Sequence, residues 1–404
     1  MANTRVTPTN VTRKALQILH QKLNFVGNIN RQYDDSYKGG DAVVRGKFGP
    51  TLKIRNPNEY VVRSGLSMDV KEDVEVTQDL TVSTVKGVDL NFSSTELALE
   101  LDDFAARILE PAMSVLAANI ENDALSMYKD VYNLIDGDTV AFGFDPVANA
   151  NTMLTNMLAP TSGRSMLMNT THANKFIKDT KSLFNSSENI DKQYRDGIVG
   201  KTGGFKMYEN TLLVPHTTGT APKSTLQTVN GAITANGAVG VVLAGTTGTW
   251  KKGDVFTVVG CNRVHPETKQ DTGVAQQFVV TTDSTGVAGV TLAFTPAIYT
   301  TGGRQNVVAA GMPHGAALVK PGAGAGETLN QSIAFHENAF TFVTADLPMP
   351  DGVDWAKREV FDGISMSMVR DFTISDRSFP CRLDVLYGYK AIRPQLATRV
   401  HNDA

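Results

Sequence analysis

The stretch from Ser93 to Ile135 constrains the fold of this chain more than any other part of the sequence. Its apolar residues recur every three or four positions, which is the spacing of one face of an α-helix. The stripe consists of Leu116, Ile120, Ala124, Met127, Val131 and Ile135. Pro111 has no N–H to donate and is therefore expected in the first turn of this helix, after a shorter helix over residues 94–109. A helix over 111–135 would be about 37 Å long, so it requires a large partner surface.

Two segments near the end of the chain predict that surface. Ile364, Met366 and Met368 alternate with serines, and apolar and polar residues alternate again from Cys381 to Lys390. A period of two predicts two long strands, each with one apolar face. We expect the long helix to lie on these strands.

Length and composition exclude several classes of protein. A chain of 404 residues exceeds the size of one hydrophobic core, about 250–300 residues, so two or more lobes are expected. The net charge of −3 provides no general basic field for nucleic acid. No apolar run approaches the ~18 residues of a membrane span, and the first residues lack a signal-peptide pattern. Two distant cysteines exclude a disulfide framework and favour a reducing cytosol.

The residues before the long helix predict a helix, an arm and a hairpin. Residues 11–24 carry leucines on one side, and the polar, glycine-spaced stretch up to Gly49 predicts an extended arm. Strand patterns from Thr51 and over 80–92 flank a charged segment. Their low apolar content favours a hairpin that reaches outward. A small polar β-meander packed on its own domain accounts for the pattern equally well.

The middle of the chain predicts a mixed lobe without regular βαβ alternation. Asp145 is expected to cap a helix that begins with Pro146, and Thr171 is expected to cap the next one. Short strands are expected at 165–168 and 212–215.

An inserted β domain is predicted after Thr217, where the composition becomes rich in Thr, Val, Gly and Ala. Glycine turns separate short strand patterns, and no segment predicts a helix. The clearest strands are 239–244, 254–259, 277–281 and 289–294. This pattern is typical of an independent barrel or sandwich set into a host lobe. A glycine-rich linker then begins at Pro321.

No arrangement of residues predicts catalysis, and we expect that the protein is not an enzyme. The end of a phosphate-binding loop is imitated by Gly200-Lys201-Thr202, but Arg195 stands where the first glycine is required. The seven histidines never occur at i and i+4 or in a Cys/His cluster, so neither a metal nor another cofactor is predicted. Glu121 and Asp123 are expected on the polar face of the long helix.

The order of these elements resembles the major capsid (coat) proteins of tailed bacteriophages, which have the Hong Kong 97-like fold. More narrowly, it is similar to the coat protein family of short-tailed Salmonella phages, which carries an inserted domain. The resemblance covers most of the chain from about Leu80. It is carried by Tyr194-Arg-Asp-Gly with Gly204-Phe205, by Trp250-Lys-Lys-Gly-Asp, and by Cys381-Arg-Leu-Asp-Val-Leu-Tyr-Gly-Tyr with Arg393-Pro394.

The resemblance implies an α+β fold of Hong Kong 97-like type, with a spine helix packed on long β-strands, an E-loop hairpin, an A-domain and an inserted all-β domain. The implied divisions are an N-terminal arm (1–46), E-loop hairpin (47–93), spine-helix region of the P-domain (94–135), A-domain (136–222), inserted β domain (223–320), return to the A-domain (321–360) and P-domain strands (361–404).

The implied function is that of a major capsid protein. Many copies would self-assemble, through a procapsid, into the icosahedral shell of a tailed bacteriophage and enclose its packaged double-stranded DNA. The implied partners are further copies of the chain, a scaffolding protein, a portal protein and non-specifically contacted DNA, with no membrane. Assembly would take place in the host bacterial cytoplasm, and the product would be the virion.

Contacts between subunits are predicted in the hairpin, because both signs of charge occur there on a segment with few apolar residues. The predicted contact residues are Lys53, Arg55, Arg63, Asp69, Lys71, Glu72 and Asp73. The competing interpretations are another virion structural protein and a carbohydrate-binding or interaction protein built on the β insert. A carbohydrate-binding module needs exposed aromatic residues, for which the insert offers chiefly Trp250 and Tyr299.

Overall fold

The fold comes from a computed structural model, which describes residues 8–31, 51–63, 65–68, 75–93, 108–136, 142–180, 201–223, 227–245, 248–285, 287–322, 324–361, 364–374 and 378–402. The α-helices of this part of the chain are α1 (Pro8–Lys22), α2 (Glu110–Leu125), α3 (Phe144–Asn156) and α4 (Thr170–Thr180). The strands are β1 (Thr51–Arg55), β2 (Thr77–Thr81), β3 (Thr84–Ser93), β4 (Leu134–Asp136), β5 (Arg164–Met168), β6 (Lys201–Thr202), β7 (Phe205–Glu209), β8 (His216–Thr217), β9 (Thr228–Val229), β10 (Ala238–Ala244), β11 (Thr249–Trp250), β12 (Val255–Val264), β13 (Asp271–Val280), β14 (Ser284–Thr285), β15 (Thr291–Ile298), β16 (Leu318–Val319), β17 (Thr328–His336), β18 (Phe340–Ala345), β19 (Trp355–Phe361), β20 (Ile364–Arg370), β21 (Ser378–Ala391) and β22 (Ala397–Asn402).

Two compact units share the chain. Unit 1 comprises Met1–Arg55, Thr77–Leu125 and Phe340–Ile392. Unit 2 comprises Asn56–Val76, Ser126–Ala339 and Arg393–Ala404. Two or more lobes were expected from the length of the chain, and the structure confirms this.

Unit 1 is built on an antiparallel sheet in the order β18-β21-β20-β19, with β3 also paired to β21. The long strands β20 and β21 confirm the prediction from alternating residues. The prediction of a single apolar face is wrong for β20, because Ser365 and Ser367 are buried as well. Ser365 Oγ donates to Asp346 Oδ1 at 2.6 Å, and this bond replaces the hydrogen bonds to water that the buried hydroxyl group loses.

The central helix α2 packs against α1 and β3, and Tyr387 of β21 donates to Asp123 Oδ2 at 2.5 Å. Its buried face includes Met113, Leu116 and Ile120, so the predicted stripe forms core as expected. The predicted surface position of Glu121 is wrong, because its side chain is buried in this unit. The preceding helix, predicted over 94–109, falls almost entirely outside the described residues.

The predicted continuation of the helix to Ile135 is wrong. After Leu125 the chain makes a 3₁₀ turn at Ser126–Asp130 and then forms β4, which pairs in parallel with β22. Leu134 bonds with the side-chain amide of Gln277, donating at 2.8 Å and accepting at 2.9 Å. These partners replace the i→i−4 bonds of a helix. The apolar period could not reveal them, because Met127 and Val131 are buried in the 3₁₀ turn and loop as well.

The strand predicted over 80–92 is two strands. The first, β2, pairs antiparallel with β1, so that Leu52 lies opposite Leu80. The second, β3, leaves this ladder and pairs with β21 along its whole length. Ile54, Leu80, Val82, Val343 and Ile392 form a small hydrophobic core, so the base of the hairpin packs on its own unit.

Near the N-terminus, the helix predicted over 11–24 is confirmed as α1, which packs on α2 and β19. Most of the predicted extended arm, 32–49, lies outside the described residues. The N-terminal division of the chain therefore contains at least one helix that is part of the core of unit 1, with Leu16 and Leu19 buried.

Unit 2 contains the mixed lobe around a sheet in the order β4-β22-β17-β5-β7-β6. Helix α3 begins after Gly143 and not at an Asp145 cap; the Asp179 carboxylate accepts the Phe144 N–H at 2.8 Å. Asn169, and not Thr171, caps α4, because its Oδ1 accepts the Thr171 N–H at 3.0 Å. The predicted strand at 212–215 is absent from this described stretch, and β8 follows it directly.

The inserted segment forms a sheet in the order β16-β12-β13-β15-β10-β9, with a separate pair β11-β14. Its four longest strands, β10, β12, β13 and β15, are those that the sequence predicts. Its core packs Trp250 against Phe256, and Phe256 against Phe278 and Phe294, with ring centroids 5.6–5.9 Å apart. The described residues of the insert form no α-helix, as the composition predicts.

Candidate functional site: the hairpin tip and the root of the insert

The predicted contact residues fall into two groups. Lys53 and Arg55 lie on β1 with exposed side chains, and Arg63 is exposed beyond the end of that strand. Asp69, Lys71, Glu72 and Asp73 lie outside the described residues. The structure therefore shows where three of the predicted contact residues lie, and it leaves their contacts a prediction.

Arg63 organises the hairpin tip, which we define as the described residues 57–63 and 65–68. Its Nη1 donates to the Gly65 carbonyl at 2.5 Å and to the Ser67 carbonyl at 2.7 Å. Gly65 has a φ of 100°, a conformation that favours glycine. The guanidinium thus holds a turn within the tip, in addition to providing a surface charge.

Apolar exposure at this tip is the feature that the charge pattern missed. Tyr60, Leu66 and Met68 are largely exposed, and Val62 is 90% exposed. A signal was present in the sequence, since Tyr60-Val-Val and the pair Leu66 and Met68 place apolar residues close together beside the charged segment. Clustered exposed apolar residues are typical of interaction surfaces.

One side of the tip lies against the insert within unit 2. Lys269 Nζ is 3.6 Å from the Glu59 carboxylate. At Gly303, an added Cβ would overlap the Glu59 carbonyl oxygen, so glycine is required for this approach. Contacts with the insert therefore position the part of the tip around Glu59, whereas the apolar side chains of the tip remain exposed.

A second candidate site is the root of the insert, where Asp254 is buried. Its Oδ1 accepts the Nε2–H of His216 at 2.9 Å, and its Oδ2 accepts the backbone N–H groups of Gly219 at 2.9 Å and Lys251 at 3.0 Å. Lys320 Nζ lies 3.9 Å from Oδ2. His216 and Gly219 precede the inserted sheet and Lys320 follows it, so one carboxylate holds both connections together.

Electrostatics at the root favour an ionised Asp254. Burial by itself would raise the pKa of Asp254, but the His216 hydrogen bond, the Lys320 charge and the two backbone N–H groups lower it below its ordinary value. Burial lowers the pKa of His216, and the nearby carboxylate opposes this shift. The root thus contains a structural ion pair between Asp254 and Lys320, and the hydrogen bonds that the Asp254 carboxylate accepts add to it.

Arg399 of β22 completes the root from the host sheet. Its Nη2 donates to the Gly253 carbonyl at 2.8 Å, and its guanidinium lies 5.9 Å from the centre of the Tyr128 ring. Burial lowers the pKa of Arg399 to about 10. An arginine with this pKa stays charged near neutrality, so it links the host strand to the Gly253 turn as a cation.

The structure also places the residues that could have suggested sugar binding, phosphate binding or thiol chemistry. Trp250 is buried, and its Nε1–H donates to Gln227 Oε1 at 2.6 Å, so it is not available to stack on a sugar. Lys201 and Thr202 form β6, which turns through Gly203 and Gly204 into β7 in place of a phosphate-binding helix. Burial raises the pKa of Cys261 and of Cys381 to about 12.

The described residues lack two further kinds of feature. No group of three or more His, Cys, Asp or Glu side chains among them could hold a metal ion. None of the helices in the described part of the chain is long and apolar enough to cross a membrane.

Comparison with known proteins gave a family match. The family model described as P22 coat protein, gene protein 5, matches residues 35–399, which is most of the chain. A search of curated proteins found no match.

Several solved structures are similar to this chain. A structure from Mycobacterium phage Che8 is 13% identical, with a TM-score of 0.46 and coverage of 94% of this chain and 90% of that chain. The capsid of Ralstonia phage GP4 is 8% identical, with a TM-score of 0.44 and coverage of 88% and 84%. The capsid of cyanophage P-SCSP1u is 10% identical, with a TM-score of 0.42 and coverage of 88% and 84%. These scores are low, so the assignment rests on the family model.

Proposed function

Since the chain belongs to the P22 coat protein family, we propose a route by which it assembles and the surface through which its copies meet. The protein is a major capsid protein that forms the icosahedral shell of a phage and resides in the virion. Its α+β architecture with an inserted all-β sheet is the Hong Kong 97-like fold that the resemblance implied. We propose that the subunit has a purely structural role, without enzymatic activity.

Further partners belong to the same proposal. A scaffolding protein would help the subunits to close into a procapsid in the host cytoplasm, with a portal protein at one vertex. Packaged double-stranded DNA would be contacted without sequence specificity. The near-neutral net charge of −3 supports weak, non-specific contact with DNA over tight binding.

The hairpin is the proposed contact between neighbouring subunits. The single observation that carries this proposal is the exposure of Val62, Leu66 and Met68 at its tip. Burying such a side chain against a neighbour contributes about 1.5–3 kcal/mol. An exposed ion pair made by Lys53 or Arg55 contributes only ~0.2–1 kcal/mol. We therefore propose that the apolar tip supplies most of the contact energy and that the seven predicted charged residues set orientation.

The test should alter the tip without removing the base of the hairpin, because Ile54 and Leu80 belong to the core of unit 1. The variant Val62→Ser, Leu66→Ser and Met68→Ser combined should give folded subunits, by circular dichroism and thermal melting, that fail to close into shells under electron microscopy. The matched control, Lys53→Ser with Arg55→Ser on exposed positions of β1, should still give shells.

Other outcomes of this test are decisive too. Shells from the apolar variant but not from the charged one would assign the contact to the charges. Normal shells from both variants would remove the hairpin from its proposed role. If the subunits failed to fold, the tip would be part of the subunit core.

A further inference from the structure

Two side chains that line a small pocket at the root of the insert each carry a buried polar atom without a protein partner. The pocket has a volume of about 10 Å³, and Gln331 and Arg399 are among the residues that line it. Each of these side chains is only 2% exposed. The unpartnered atoms are Gln331 Oε1 and Arg399 Nε. Leaving one buried polar group unsatisfied is costly in a folded protein, and two adjacent ones need an explanation.

Strand register places the two side chains side by side. In the antiparallel pair β17-β22, Gln331 lies opposite His401 and Ile333 lies opposite Arg399. Gln331 and Arg399 are therefore diagonal neighbours on the same face of the sheet, with Cα atoms about 7–8 Å apart. Side chains at that separation can be bridged by one small molecule.

Each of the two side chains also makes a hydrogen bond within the protein. Gln331 Nε2 donates to the Leu329 carbonyl at 3.2 Å, which fixes Oε1 as the free acceptor of the amide. Arg399 Nη2 donates to the Gly253 carbonyl at 2.8 Å, and the Nε–H of the same guanidinium has no protein acceptor. The site thus presents one donor and one acceptor to the same occupant.

We propose that this pocket binds a single ordered water molecule, which accepts a hydrogen bond from Arg399 Nε–H and donates one to Gln331 Oε1. Its volume is about that of the smallest cavity that holds one water, roughly 10–15 Å³. Water is the simplest occupant that both accepts and donates.

Charge at the pocket argues against an ion. Arg399 and Lys320 line the pocket and repel a cation, whereas an anion has no proton to donate to Gln331 Oε1 and would leave that acceptor unsatisfied. Asp254 is held ionised by its hydrogen bonds and by Lys320. A neutral molecule meets neither penalty. The water would extend the polar root from the insert to two strands of the host sheet.

The test uses the assembled shell, imaged by cryo-electron microscopy at a resolution of about 2 Å. At this resolution the density of an ordered water is resolved from that of its hydrogen-bond partners, which lie 2.7–3.2 Å away. One reconstruction is made in sodium acetate buffer and one in sodium bromide. We expect one peak of oxygen size within hydrogen-bond distance of both atoms, equal in the two maps. A peak that strengthens in bromide would identify an anion site, and an empty map would show a dry pocket. Either result overturns the proposal.

A pair of variants provides the control. Gln331→Leu should remove the peak, because the water loses its acceptor. Thr328→Val, on the same strand but exposed, should leave it in place. An unchanged peak in Gln331→Leu would contradict the proposed bonding. If Gln331→Leu does not fold, the two wild-type maps decide alone.

Discussion

Replacing Glu121 with glutamine should remove a pH dependence from the stability of the subunit. Glu121 of α2 is buried in unit 1, and its Oε1 accepts the backbone N–H of Phe25 at 2.7 Å and that of Asn24. These N–H groups follow α1, so the carboxylate fastens the N-terminal helix to the central one. Burial raises the pKa of Glu121 to about 7, and the backbone hydrogen bonds only partly oppose this shift.

The direction of the effect follows from proton uptake. The ordinary pKa is 4.5, so between about pH 4.5 and 7 the folded protein holds a proton on Glu121 that the unfolded chain has released. Stability from this group is therefore complete below pH 4.5 and is lost as the pH rises through 7. A difference of 2.5 between 4.5 and 7 corresponds to about 3 kcal/mol at 1.36 kcal/mol per unit.

The assay is urea unfolding of unassembled subunits from pH 4 to pH 9, followed by circular dichroism. Because other groups also titrate, the informative quantity is the free energy of unfolding of the wild type minus that of Glu121→Gln. This difference should fall by about 3 kcal/mol across the range, mostly between pH 4.5 and 7. Glu110→Gln, which removes an exposed carboxylate from the same helix, should show little of this slope. A difference that is flat with pH would refute the reasoning.

Two further predictions concern the insert. Asp254→Ala should lower the free energy of unfolding by about 3–5 kcal/mol, because it leaves Lys320 and the Gly219 N–H buried without their partner; urea unfolding at pH 7 measures this, and a loss below 1 kcal/mol would contradict the assigned role. Because the pKa of Asp254 is lowered, the wild type should keep this contribution until the pH falls below its ordinary value of 3.8. A fragment of residues 223–320 should fold alone, with dispersed amide NMR signals and a cooperative melt that Trp250→Ala abolishes, since the buried indole packs on Phe256. A random-coil spectrum would show that the insert depends on the host lobe.

The sequence by itself determined those elements whose local residue pattern matches the secondary structure that they form. The alternation of apolar and polar residues in 364–368 and 381–390 predicted β20 and β21, because a hydrophobic period of two over several residues is the pattern of a β-strand and not of a helix. Thr- and Val-rich runs between glycine turns predicted the four long strands of the insert for the same reason. The order of these elements also carried the resemblance to coat proteins, which the family match confirms.

Contacts between distant segments were decided only by tertiary structure. Helical spacing continued to Ile135, but the helix ends at Leu125, and the backbone of Leu134 instead pairs with β22 and bonds the side-chain amide of Gln277. Glu121 has the local pattern of a surface residue, and only the arrival of α1 buries it and supplies its hydrogen bonds.

At both candidate sites, some features were visible in the sequence and others depended on the tertiary structure. Charges in the hairpin could be read directly, whereas the exposure of Val62 depends on which surfaces the rest of the chain covers. Asp254 lies beside a turn glycine like many surface aspartates, yet it joins His216 and Lys320, which are 104 positions apart in the chain. Sequence periodicity reports the local backbone, because neighbouring residues share one element. Burial, pKa and the partners of a polar group arise from segments that only the folded chain brings together.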